Sequence, residues 1–181
     1  LNVSGTGSLE IFEVTDAQLV TLDASGLTGA LKMEGGTGIT TITGGAGNDT
    51  VDVLGTAQTS TIVLGAGDDT VKFNATGSLT TADTVTGGAG TDTLSNVTAE
   101  WDGYTTGTLT KVTGFEAATV TDAVAGNIDF TAIAGIKTVT LATATDNTAR
   151  QVTMEAGDIT LNLGSSLLEA LTVVDTGTAI T

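Results

Sequence analysis

Nine residues, Gly44-Gly45-Ala46-Gly47-Asn48-Asp49-Thr50-Val51-Asp52, return as Leu64-Gly65-Ala66-Gly67-Asp68-Asp69-Thr70-Val71-Lys72 and again as Gly87-Gly88-Ala89-Gly90-Thr91-Asp92-Thr93-Leu94-Ser95. The starts lie 20 and 23 residues apart. A degenerate copy, Gly35-Gly36-Thr37-Gly38-Ile39-Thr40-Thr41-Ile42-Thr43, abuts the first on its N-terminal side, with Thr40 in the aspartate position. A fixed period of this kind is the mark of stacked-repeat architectures.

The shared pattern, G-G-x-G-x-D-x-U-x with U aliphatic, resembles the nonapeptide of the calcium-binding RTX repeats, and residues 35–95 resemble a short parallel β-roll. Two nonapeptides make one coil of such a roll, so the observed spacings are one coil plus a few inserted residues. The three intact copies are expected to stack on one side and the degenerate copy to fall on the other. Leu64 replaces the first glycine of the second copy, and Thr40 supplies no carboxylate for a fourth ion.

The residue types explain the chemistry. Glycines admit positive φ and tight turns that expose carbonyls. Aspartate adds a carboxylate at a fixed place, and the following Thr-Val or Thr-Leu alternates as a strand with Val51, Val71 and Leu94 inward. Calcium accepts 6–8 oxygens and tolerates carbonyls, whereas magnesium demands a strict octahedron. With coils about 4.8 Å apart, Asp49 and Asp69 are expected to share one Ca2+, and Asp69 and Asp92 another. The remaining ligands are assigned to carbonyls of Gly44, Gly45, Ala46 and Gly47, of Gly65, Ala66 and Gly67, and of Gly87, Gly88, Ala89 and Gly90. Asp52 and Asp68 are read as solvated neighbours. The alternative for all three motif aspartates is a purely structural role, hydrogen-bonding the turn backbone. No Gly-Lys-Ser/Thr follows Gly87–Gly90, which removes a phosphate-cradling loop.

Outside 35–95 the motif stops but the strand rhythm continues. Val20–Gly29 is echoed by Ile128–Gly135, each followed by a short alternating run, 30–33 and 136–141 respectively. Further strands are expected at 118–121, 151–154, 159–163 and 171–174, and one helical turn over Ser165–Ala170. Trp101 and Tyr104 fall in a loop-out after the last motif, where they either cap the roll or form a platform for a sugar. The phrases Val112-Thr113-Gly114-Phe115-Glu116-Ala117-Ala118-Thr119-Val120, Asn127-Ile128-Asp129-Phe130 and Ile136-Lys137-Thr138-Val139 resemble bacterial RTX-type surface-layer proteins. That resemblance implies a secreted structural protein at the bacterial cell surface. It would be exported by type I secretion, fold in calcium outside the cell and self-associate into an array, with cell-surface polysaccharide a further partner.

Composition narrows the alternatives. The chain has no histidine, no cysteine and no proline, which removes His-dependent triads, thiolate chemistry and disulfides. Twenty-one acidic residues against five basic ones give a net charge of -16. Such a field repels nucleic acid and anionic membrane and attracts cations. No apolar run is long enough to span a bilayer. The start at Leu1 and the apolar Ala179-Ile180 near the end read as a segment cut from a longer chain. The N-x-S/T sequons are expected to carry no glycan. The expected fold is an all-β, right-handed parallel β-solenoid in one continuous domain. It has metal-poor coils at 1–34, a calcium β-roll at 35–95 and metal-poor coils at 96–181. No catalytic residues are expected. The competing functions are an accessory module of a secreted enzyme or toxin, and an adhesin spacer.

Overall fold

The structure, a computed structural model, describes residues 1–12, 19–35, 38–54, 59–144, 150–157, 159–164 and 171–175. Its strands are short because each side of a coil holds only a few residues before the glycine-rich corners turn the chain. Successive strands fall alternately on two parallel sheets. One contains β1 (Asn2–Gly5), β3 (Thr21–Leu27), β5 (Thr41–Thr43), β7 (Thr61–Ala66), β9 (Thr84–Ala89) and β11 (Val112–Thr113). The other contains β2 (Leu9–Ile11), β4 (Leu31–Glu34), β6 (Thr50–Val53), β8 (Thr70–Phe73), β10 (Thr93–Asn96), β12 (Ala117–Val124), β14 (Thr138–Ala144) and β16 (Thr160–Leu163). A third sheet, β13 (Ile128–Asp129), β15 (Arg150–Met154) and β17 (Leu171–Asp175), serves the later coils. Each strand pairs with the strand two places along the chain, which makes the fold a parallel β-solenoid.

Period-two alternation becomes two inward columns of side chains. On the eight-stranded sheet Met33, Val51, Val71, Leu94, Ala118 and Val139 lie in register and are buried. On the six-stranded sheet Leu22, Ile42, Ile62, Val85 and Val112 do the same. Burial of each larger member contributes about 1.5–3 kcal/mol. Threonines at neighbouring positions occupy the outer face, where β-branching suits the pleat. Pairing of β4 with β6 and of β10 with β12 carries the sheets across residues 34/35 and 95/96.

Two expectations are refined. The run 128–135 does not repeat the strand of 20–29. After β13 it enters a 3-10 turn, Phe130–Ala132, because the Asp129 carboxylate accepts the Thr131 N–H at 2.9 Å and caps it. Trp101 ends a one-turn helix, α1 (Thr98–Trp101), and has no exposure. Its ring lies 4.8 Å from that of Phe130 and edge-on to Tyr104 at 6.1 Å. The Tyr104 hydroxyl lies within hydrogen-bond distance of both Leu79 O, at 2.7 Å, and Glu100 Oε2, and its one proton serves one of them. Both rings therefore close the core beside the last motif coil, and a ring with no exposure offers no stacking face to a sugar. The turn expected over Ser165–Ala170 lies outside the described residues.

Candidate calcium-binding turns

The three intact motifs form corners that carry the chain from the six-stranded to the eight-stranded sheet. Thr50, Thr70 and Thr93 are in register, so Asp49, Asp69 and Asp92, one residue earlier, stack in one column. The degenerate copy leads into β5 on the six-stranded sheet and so lies at the opposite edge, as the spacing implied. Its Gly36 and Thr37 are outside the described residues.

The aspartates are buried, each at most 1 % exposed. One oxygen of each reaches back to the preceding coil. Asp49 Oδ1 accepts the Leu31 N–H at 2.7 Å, Asp69 Oδ1 accepts the Asp49 N–H at 2.6 Å, and Asp92 Oδ1 accepts the Asp69 N–H at 2.8 Å. A further rung follows beyond the motifs: Glu116 Oε2 accepts the Asp92 N–H at 2.9 Å. The motif does not mark Glu116; only the pairing of Thr93 with Ala117 places it in the column.

The second oxygens carry the functional argument. Asp49 Oδ2 accepts the Gly45 N–H at 2.9 Å. Asp69 Oδ2 and Asp92 Oδ2 are buried with no hydrogen-bond partner. A buried carboxylate oxygen without a donor is costly, and a cation removes that cost. Burial raises all three carboxyl pKa values. Asp69 is pushed up to about 6, with Asp49, Asp92 and Asp68 adding repulsion.

These oxygens pack against glycines, at positions where a side chain would clash. A methyl carbon at Gly44 would lie 2.3 Å from both Asp49 Oδ2 and Leu64 O. At Gly87 it would lie 2.6 Å from Asp92 Oδ2 and 2.0 Å from Gly114 O. Leu64, a departure from the motif in its side chain, thus places its carbonyl oxygen beside Asp49 Oδ2, at a position outside the expected ligand set. Gly65, Gly67, Gly88 and Gly90 have φ between +112° and +148°, the region glycine tolerates best. Gly45 O accepts the Ala66 N–H at 3.0 Å and Ala89 O the Gly67 N–H at 2.9 Å, and a carbonyl so engaged keeps a second lone pair. Among the described residues no three acidic side chains gather at one point. A site here would therefore draw on carbonyls as well as carboxylates, a mixture that suits calcium.

Asp68 is exposed and its Oδ1 accepts the Thr91 N–H at 2.8 Å, while Asn48 Oδ1 accepts the Asp68 N–H at 3.0 Å. Asp52 bonds Asn74. On the opposite edge Thr40, Ser60 and Asp83 are in register. Asp83 has both oxygens engaged: Oδ1 by Ser60 N–H, Oδ2 by the N–H and hydroxyl of Thr80. It is a buried corner brace. Asp83→Ala is expected to lose about 1–3 kcal/mol by stripping buried donors, equally in calcium and in chelator, as read by paired thermal melts.

Comparison with protein families finds the RTX calcium-binding nonapeptide repeat (4 copies) at residues 34–55 and 80–95. The second copy, with Leu64 in first position, lies between the matched segments. The matched segments carry the RTX calcium-binding nonapeptide repeat, and repeats of this type bind calcium ions. No curated protein and no solved structure matches it. Among the described residues no helix is long and apolar enough to cross a membrane.

Proposed function

We propose that the chain is a structural segment of a secreted bacterial surface layer, in which calcium drives folding and lateral self-assembly. The supporting observation is continuity: the sheets holding the aspartate column run without interruption into coils that lack the motif on both sides. A solenoid of this kind transmits rigidity along its axis and leaves outermost strands such as β2 and β16 with an unpaired edge among the described residues. Asp49 and Asp69 hold one Ca2+, and Asp69 and Asp92 another. Carbonyls of the intervening turns, Leu64 O included, complete the shells. The ions neutralise part of the -16 charge, so that binding and folding are one equilibrium. In this reading the chain performs no catalysis.

The test is a calcium titration followed by circular dichroism and sedimentation, with magnesium as control. Conversion to β structure together with growth into large assemblies supports the surface-layer reading. Folding without assembly favours a spacer or accessory module. Equal folding in chelator overturns the role of calcium in folding.

A further inference from the structure

The aspartate column does not end with the last nonapeptide. Glu116 stands one coil beyond Asp92, in the corner Gly114-Phe115-Glu116, which shortens the six-residue motif turn to three. Its Oε2 closes the ladder on the Asp92 N–H, and its Oε1 takes no part in that bond. Asp92 itself is fully buried, and its Oδ2 has no partner. That oxygen and Gly114 O both crowd the position where Gly87 lacks a side chain. The arrangement repeats the one at Gly44, where Asp49 Oδ2 meets the carbonyl of the corresponding residue one coil on, Leu64.

We infer that Asp92, Gly114 and Glu116 form a further divalent-cation site, one coil past the last recognisable motif, fitted to calcium. Asp92 Oδ2 and Gly114 O supply two oxygens, and Glu116 supplies the charge that the aspartate of a following motif would have brought. The inference rests on the calcium reading above and extends it to residues that no nonapeptide contains. Oxygen-only donors that include a carbonyl favour calcium over magnesium.

The test uses the full chain, cleared of metal and titrated with CaCl2 by calorimetry, beside Glu116→Gln. Glutamine keeps an oxygen to accept the Asp92 N–H while removing the charge. The expected result is one fewer calcium per chain, or one class of sites weakened at least tenfold, with the rest unchanged. A second readout needs no variant: the carbonyl 13C resonance of Gly114 in the wild-type chain is expected to shift with calcium. If wild type binds calcium while the variant matches it in number and affinity, and the Gly114 resonance stays fixed, this site is overturned and the motif sites stand. If wild type binds no calcium at all, both readings fail.

Discussion

Stripping calcium from the chain with chelator at neutral pH is expected to destabilise the β structure between 35 and 95 by about 5 kcal/mol. A ligand at one hundred times its dissociation constant stabilises the folded state by about 2.7 kcal/mol per site. Two motif sites together then supply about 5 kcal/mol, comparable with the whole stability of many domains. Without the ions the fold keeps three buried, mutually repelling aspartates, two of them with an unpartnered oxygen. Some calcium will bind the acidic unfolded chain and reduce the difference. Far-ultraviolet circular dichroism and the emission of the single Trp101, buried beside the last motif coil, report the transition together. Superimposable melts in calcium and chelator would sink the prediction. Magnesium at equal concentration is expected to restore little.

Asp69→Asn is expected to reverse its effect with the metal. The amide keeps an oxygen to accept the Asp49 N–H, so the ladder survives and only the charge is lost. In chelator the wild-type carboxylate is a burden: burial lifts its pKa from 3.8 to about 6. The folded state therefore binds more protons than the unfolded one across that window. Stability of the metal-free fold is greatest below about pH 4 and falls as pH rises through 6, by at most ~3 kcal/mol from this group. Asparagine removes that loss, so the variant melts higher than wild type in chelator at pH 7. In saturating calcium the order inverts, because the variant lacks the carboxylate shared by two sites. A variant that melts lower by the same amount in both conditions would make Asp69 a backbone acceptor only.

What the sequence disclosed depended on whether a relation repeats. Asp49, Asp69 and Asp92 each occupy a fixed place in a nine-residue unit, and the inward positions of Val51, Val71 and Leu94 follow from alternation. The spacings of 20 and 23 were enough to put the copies on one edge. Glu116 was hidden because its corner is three residues shorter than the motif turn, so no period points to it; only strand register does. Leu64 illustrates the opposite failure, since a side chain that breaks the pattern leaves the carbonyl available. Asp83 looked unremarkable because its role is defined by an amide one coil away, Ser60 N–H. The 3-10 turn at Phe130–Ala132 interrupts a run whose composition suits a strand, because Asp129 gains a local hydrogen bond by ending it.

The ladder of carboxylates has a sense of direction, and its neighbour runs the other way. Each buried acid clasps the amide of the coil before it, whereas Asn48 and Asp68 on the surface clasp the amide of the coil after. Damage inherits these directions. Loss of Asp92 bares the amide of Asp69, one storey toward the N-terminus, while loss of Asp68 bares that of Thr91, one storey toward the C-terminus. The corner edge thus resembles two zips closed from opposite ends, and an opening begun in either is checked by the other.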